Sequence, residues 1–420
     1  MTTTRNPLHH IVRVRSSDDL TYVSQGLMDE VIVNANQLEN SVQATTAALW
    51  KTTLPFSVDP ILWRFQVPAW SSKTSGETKR NYKRLGAAYA KGIGVTLGAA
   101  PLLDTISTDD DWRRLAANVV AYQRDRLHDV PTQLELLSNL RELHPARLMA
   151  PALVGYSTSE DRINRMMIDA AADEAGAPVA VQIILPVERL NDHGGLRELI
   201  ASTPTDGVSS YSLWTPQVTE DRLLTDPTVL AALLRMISEL SERGIAVGHQ
   251  YANYTVAALH DVGLASMTHH LGWVDKGEPV ASQSFATRSC QTYVPGVRHC
   301  VRFHEAEALG RDLDADEYAE WYCECTFCAG MFEEGQHPFD LLLETRTVEM
   351  KNGKERQIPT ARSVGANTWH FLLSRRNEVG AFSAHPAVEV IEQDIQRASA
   401  LRGGSDAARL GNLATELKSA

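Results

Sequence analysis

The sequence predicts an α/β protein: a (β/α)8 TIM-like barrel with a small cysteine-rich subdomain attached. Three observations predict it. Short apolar runs alternate with helix-patterned stretches along most of the 420 residues, as in a parallel sheet with crossover helices. Eight such runs can be counted, the number a barrel requires. A doubly wound open sheet is the rival, because one weak run separates the two counts. After residue 275 the alternation stops, and the run WYCECTFCAG follows, with three thiols in six residues.

The first run is Val31-Ile-Val33, ahead of a helix pattern over 39–50. Phe56-Ser-Val58-Asp59-Pro60 is the second and ends in polar groups. A long helical region covers 78–143, broken only by the weak run Ile93–Leu97. Leu148–Val154, Val179–Leu185, Val208–Leu213, Ile245–Val247 and Leu264–Thr268 complete the eight. The clearest helix spans 227–243, where Leu230, Leu233, Leu234, Ile237 and Leu240 form one stripe. Residues 280–305 read as irregular or β, and 311–378 hold the cysteines, a Lys-rich turn at MKNGKER and a helix pattern around His370. The tail from 398 is small and polar, so fraying or a loosely docked helix is expected. The expected division is a barrel over 25–305, a metal-binding subdomain over 306–395 and a tail over 396–420.

No run approaches 18 apolar residues, so no membrane span is expected. The first residues, MTTTRNPLHHIVRVRSSDD, lack an apolar signal core, and the five cysteines, three of them clustered, fit a reducing cytoplasm. The net charge of −12 argues against whole-surface attraction to nucleic acid. It leaves room for a local basic face, for which Arg346, Lys351, Lys354, Arg356, Arg362, Arg375 and Arg376 are the candidates.

Cys323, Cys325 and Cys328 can converge on one tetrahedral ion, most simply Zn2+, but stop one ligand short of a closed site. Downstream candidates for the fourth are His337, His370 and His385. His370 is favoured, because Trp369, Leu372 and Leu373 at helical spacing put it on a helix that aims it firmly. Free thiols or a redox pair are the bland alternative. Cys290 and Cys300 read as ordinary small core residues.

In a barrel the reactive groups lie at the C-terminal ends of the strands. Those ends offer Asn34 and Asn36, Asp59, Gln182, Trp214, His249 with Gln250 and Tyr251, and His269-His270 followed by Trp273 and Asp275. Asp59 is the strongest candidate: a carboxylate straight after an apolar strand, fixed by Pro60, can serve as base or nucleophile. Its structural alternative is a cap on the following turn. Trp214, Tyr251 and Trp273 could stack on a planar base or simply pack. His249, His269 and His270 are candidates for a second metal site. No phosphate loop is apparent, since KGIGVTLGAA lacks the residues either fingerprint needs.

An eight-run barrel pattern followed by Cys323-x-Cys325-x-x-Cys328 and a distant His370 resembles the tRNA-guanine transglycosylase family. His370-Phe-Leu-Leu-Ser-Arg-Arg is similar to the family's zinc-ligand helix. The architectural resemblance covers residues 25–380 and the specific motifs only the metal site. The 42-position gap from Cys328 to His370 exceeds that of the tRNA enzymes, and the insert TRTVEMKNGKERQIPTARS accounts for it. The tRNA enzymes carry Asp-Ser-Gly-Gly-Phe-Gln after an early strand; here Val58-Asp59-Pro60 stands there and runs on to Phe65-Gln66 without the glycines. With the late loop Gly272-Trp273-Val-Asp275-Lys-Gly-Glu and the run Tyr293-Val-Pro-Gly-Val, the chain is most similar to the DpdA branch.

That resemblance implies a transglycosylase that exchanges guanine in DNA, or alternatively in tRNA, for a 7-deazaguanine such as preQ0. It implies an Asp-linked covalent intermediate, one structural zinc per chain, and a partner ATPase. Asp59 is then one of the two working carboxylates and Asp275 the choice for the other, with Asp104 and Asp261 as reserves. Gln182, Trp214, His249 and His270 are the candidates for holding the base. Two other classes stay open: a nucleic-acid-binding protein that has lost catalysis, and a zinc hydrolase built on His269 and His270.

Overall fold

The computed structural model describes residues 6–14, 16, 18–66, 76–127, 143–216, 218–271, 290–350, 352–401 and 404–419. Seven parallel strands form one curled sheet: β1 (His9–Val14), β2 (Glu30–Asn34), β3 (Phe56–Asp59), β4 (Val179–Ile184), β5 (Val208–Trp214), β6 (Ala246–Gln250) and β7 (Leu264–His270). Their order is β3-β2-β1-β7-β6-β5-β4. Helices cover the outer side, as parallel sheets require. The Pro227–Ser241 helix buries Leu230, Leu233, Leu234, Ile237 and Leu240, the stripe its sequence predicts.

Two expectations for the sheet need correction. The weak run Ile93–Leu97 is not a strand; Gly92 and Gly94 turn the chain there with φ of 74° and 79°. The strand that sequence reading missed is β1, which lies inside the sheet between β2 and β7. A barrel division starting at residue 25 therefore begins too late. In His-His-Ile-Val-Arg-Val the polar residues mask the strand, yet His10 and Arg13 are 0% and 1% exposed.

The run Leu148–Val154 lies between the two edge strands without becoming a regular strand. Isolated parallel bridges join Arg147 to Ser57 of β3, and Met149 and Val154 to Ala180 and Ile184 of β4. Main-chain bonds to β4 remain at Leu148, Ala150 and Gly155, each 2.8 Å, and side-chain amides take up backbone groups between them. Gln123 accepts from Met149 N at 2.9 Å and donates to its carbonyl at 2.7 Å. Asn164 does the same for Leu153, at 2.8 and 3.1 Å. Gln66 does it for Val154, at 2.5 and 3.2 Å. Each amide presents a donor and an acceptor side by side, as a neighbouring strand would.

The inner side of the sheet is polar. Near its N-terminal rim Glu30 meets Arg147, accepts from Ser57 Oγ at 2.8 Å and faces His9 at 3.5 Å. Burial alone would raise Glu30, but these partners hold it at about 2, against an ordinary 4.5.

Beyond the sheet, β8 (Gln291–Val294) and β9 (His299–Arg302) form one antiparallel hairpin, and β10 (Thr345–Glu349) and β11 (Glu355–Pro359) form a second. The long Ala361–Ala384 helix follows. The tail is better docked than expected: Gly404–Ser419 is a helix with Leu410, Leu413 and Ala414 buried. Cys323, Cys325 and Cys328 share one apolar cluster with the Pro227–Ser241 stripe, so the cysteine-bearing part packs as an extension of the outer layer. Among the described residues, no helix is long and apolar enough to cross a membrane.

The amide clamps yield a prediction. Replacing Gln123, which is fully buried, with Ala leaves both Met149 backbone groups unpaired at about 1–3 kcal/mol each. Urea unfolding should show Gln123→Ala losing about 3 kcal/mol. A loss under about 1 kcal/mol would mean that the clamp does not hold the segment.

Candidate metal centre and strand-end polar cluster

A π-helical turn, Tyr318–Tyr322, ends at an extended Cys323 and delivers the first thiol. Cys325 begins the Thr326–Glu333 helix, whose first turn carries Cys328. His370 sits mid-way along the Ala361–Ala384 helix and is fully buried. Its Nε2 donates to the Tyr293 carbonyl of β8 at 2.8 Å. That bond fixes the ring and leaves Nδ1 to face the thiols, the usual support for a histidine ligand.

His370 Nδ1 lies 3.7, 3.5 and 3.4 Å from the sulfurs of Cys323, Cys325 and Cys328. Bonds of zinc length in a tetrahedron put sulfur and nitrogen about 3.6 Å apart, which the three nitrogen–sulfur distances match. All four ligand atoms lie within 4.8 Å of one another and all four residues are buried. The group could therefore bind a metal ion. Among the described residues it is the one such group. His337 instead packs its ring against Tyr318, Phe332 and Phe339.

A buried ionic network ties this centre to the sheet's helical layer. Glu378, two turns beyond His370, accepts from Tyr293 Oη at 2.5 Å, Arg375 at 2.7 Å and Arg298 at 3.0 Å. Arg298 also holds Asp394, which accepts from Tyr254 Oη. Two guanidinium groups face two carboxylates, so the charges balance where desolvation would otherwise be costly.

The second cluster lies at the C-terminal ends of the strands. Arg13 of β1 forms a buried ion pair with Asp59 of β3. It also donates to Asn34 of β2 at 2.7 Å and to Gln250 of β6 at 2.6 Å. Reaching strands two places away on either side is possible only across the inner face of a curled sheet. Gln250 passes the chain on to Ser212 of β5 at 2.9 Å. Gln182 of β4 is the register partner of Ser212 and so shares that face. Its amide nitrogen and oxygen are both buried and unpartnered. Burial alone would lower the Arg13 pKa, but Asp59 and Tyr251 hold it above its ordinary value.

Asp59 is 0% exposed and both its oxygens are engaged. Besides the pair with Arg13, Oδ1 accepts from Ile61 N at 2.9 Å, so the turn-capping role is met as well. Ile61 and Tyr251 have φ of 48° and 56°. Left-handed backbone at non-glycine residues costs of order 1–3 kcal/mol and gathers at functional sites; Tyr251 directly follows β6 and Ile61 comes two residues after Asp59.

Four rings pack above this layer. Trp214 lies 4.7 Å from Trp63 and 4.8 Å from Tyr251, and Tyr251 lies 4.8 Å from His270. Trp214 is 1% exposed. Asp275 and Trp273 lie outside the described residues.

The structure therefore brings together Asp59, Asn34 and Gln250, with Gln182, Trp214 and His270 on the same inner side. Other candidates fall elsewhere. His249 points to the outer face, opposite in alternation to Gln250, and lies 3.4 Å from Thr215 Oγ1. His269 is also outward; its Nε2 meets His10 Nε2 at 2.7 Å, under Phe371. The three histidines do not converge, and a second metal site built on them is not formed. Asp104 is exposed on a short helix, and Asp261 accepts from Ala387 N at 2.8 Å at the start of the Ala387–Ala400 helix. Of the proposed basic face, Arg375 is buried in the Glu378 network and Arg376 pairs with Asp29. Lys351 lies outside the described residues. Sequence reading missed Arg13; the signal was a charge flanked by valines in a run of β-formers.

No protein-family model matches the sequence, and a search of curated proteins returns no match.

Two predictions follow from these geometries. Cys325→Ser should lose one equivalent of bound metal and unfold at lower temperature, because metal binding at a closed site is folding free energy. Metal analysis alongside a thermal melt checks this, and an unchanged melt would contradict it. The second concerns pH. Burial, reinforced by Arg376, lowers His10 from 6.5 to about 3, and burial lowers His249 to about 4. The folded rings stay neutral where unfolded ones take up protons, so stability is full above pH 6.5 and falls below it. At pH 5.5 each ring should remove about 1.4 kcal/mol. Urea unfolding at pH 7.5 and 5.5 measures the difference; a flat profile would show that the rings titrate normally.

Proposed function

We propose that this chain is a transglycosylase of the tRNA-guanine transglycosylase kind, replacing guanine in DNA with a 7-deazaguanine such as preQ0. One observation carries the reading: a carboxylate, Asp59, stands in a polar layer at the C-terminal end of a parallel sheet, and a Cys3His group gathers behind that sheet, with His370 on the Ala361–Ala384 helix. The resemblance calls for both. We read the seven strands and the bridging segment 146–155 as the eight staves of a (β/α)8 barrel. We assign the metal as one zinc ion; four protein ligands leave no position for water, which gives it a structural role.

In the proposed exchange an Asp59 oxygen bonds to the sugar C1′ as the bond to guanine breaks. A ring nitrogen of the incoming 7-deazaguanine then displaces Asp59. The proton gained by the departing guanine balances the one lost by the incoming base, and Asp275 is assigned to carry it. The target base must leave its stack. The orphaned donor and acceptor of Gln182 suit a base edge, and Trp214, Tyr251 and His270 offer aromatic faces. Substrate entry has to part Asp59 from Arg13.

The same seal supports a second reading: a nucleic-acid-binding protein without exchange, in which Asp59 serves only Arg13 and Ile61. Incubation with labelled preQ0 and either duplex DNA or tRNA separates the readings. Mass analysis of DNA from expressing cells covers a need for a partner ATPase. The wild type should label DNA, and Asp59→Asn should label none while keeping its metal. Labelling of tRNA alone would move the substrate to RNA, normal labelling by Asp59→Asn would remove Asp59 from the chemistry, and no labelling in either assay would favour the second reading.

A further inference from the structure

The β10–β11 ribbon takes no part in either cluster, yet it is sorted by chemistry. Arg346 pairs with Ile358, Val348 with Arg356 and Glu349 with Glu355. Cross-strand partners share a face, and neighbours along a strand alternate. One face therefore carries Arg346, Val348, Arg356 and Ile358. Met350 N donates to the Lys354 carbonyl at 2.8 Å, which extends the pairing and adds Met350 and Lys354 to that face. The other face carries Thr345, Thr347, Glu349, Glu355 and Gln357. Cations and aliphatic groups are on one side, and both acids are on the other.

The ribbon touches the body at Cys290, whose thiol donates to the Gln357 carbonyl at 3.6 Å, and Val348 and Ile358 on the cationic face are half-buried. Arg346, Lys354 and Arg356 are all exposed, and of the ten strand residues only Pro359, at the root, is buried. A two-stranded ribbon is marginal on its own, so its root is pinned. Thr360 bonds Glu344 through N–H at 3.1 Å and through Oγ1 at 2.6 Å. The Ala361–Ala384 helix, which carries His370, starts at the next residue. Arg362 at the base is ion-paired with Glu344 at 4.0 Å and is not counted with the face.

We propose that the cationic face of this ribbon is a docking surface for double-stranded DNA, with Arg346, Lys354 and Arg356 on backbone phosphates. The inference rests on the transglycosylase reading and deepens it by naming where the substrate is gripped. Charge complementarity argues for it: in a chain of net charge −12, three cations share a face from which the ribbon's acids are absent. Shape agrees, since a two-stranded ribbon fits the major groove of B-form DNA. The aliphatic residues between the cations keep that face free of competing carboxylates.

The test is fluorescence anisotropy of a labelled DNA duplex between 50 and 200 mM salt, with the full-length metal-loaded protein. The triple variant Arg346→Gln, Lys354→Gln, Arg356→Gln is compared with a control of equal charge change elsewhere, Lys51→Gln, Lys91→Gln, Arg197→Gln. Each lost phosphate contact lowers the slope of log affinity against log salt by about 0.9. The ribbon variant should therefore lose about 2.7 in slope and the control less than about 1. Equal slopes for ribbon variant and wild type, no duplex binding by the wild type, or equal losses in both variants would each overturn the proposal. So would a ribbon-dependent slope on tRNA that exceeds the one on DNA. Base exchange is scored separately: exchange with an unchanged slope removes the ribbon alone, and a ribbon-dependent slope without exchange leaves the ribbon and removes the reaction.

Discussion

Arg13 is a full positive charge with almost no access to water, and the strand ends are arranged around that fact. An unpaired guanidinium in such a place would be costly by several kcal/mol. Asp59 supplies the opposite charge, and Asn34 and Gln250 accept from the two terminal nitrogens. Because these partners sit on β2, β3 and β6, one side chain fixes the relative positions of strands on both flanks of β1. Curvature of the sheet and neutralisation of the charge are one requirement. The carboxylate proposed for chemistry is thus also a structural counter-ion, so function at Asp59 has to be won against the stability it supplies.

The outer side has a corresponding anchor in the Ala361–Ala384 helix. Over little more than two turns it presents His370 to the thiols, Phe371 to His269, and Glu378 to Arg298 and Tyr293. Tyr293 is held twice, through its carbonyl by His370 and through its hydroxyl by Glu378. The Cys3His group, through His370, and the ionic network, through Glu378, therefore orient the same hairpin residue.

Much of this was legible in the sequence, and the failures have physical causes. The stripe at 227–241 and the Cys3His set could be read because each depends on spacing along one or two segments. β1 was hidden because its inward Arg13 and outward His10 are compensated by residues far away in sequence, which local pattern cannot show. Ile93–Leu97 misled in the opposite way: its β-formers sit among glycines that turn the chain. The strand-end position of Asp59 could be read, but its partner Arg13 could not, because Arg13 lies in the missed strand. His249 and His270 differ by face, and assigning faces needed the register of β6 and β7.

The clamps at Gln66, Gln123 and Asn164 change what a mutation can do to this fold. Main-chain pairing in a sheet is ordinarily indifferent to which side chains hang from it. At Met149, Leu153 and Val154 the pairing is written into side chains on three separate segments. A substitution at any of them edits the sheet itself, and these positions are bound by a rule that elsewhere governs only the backbone.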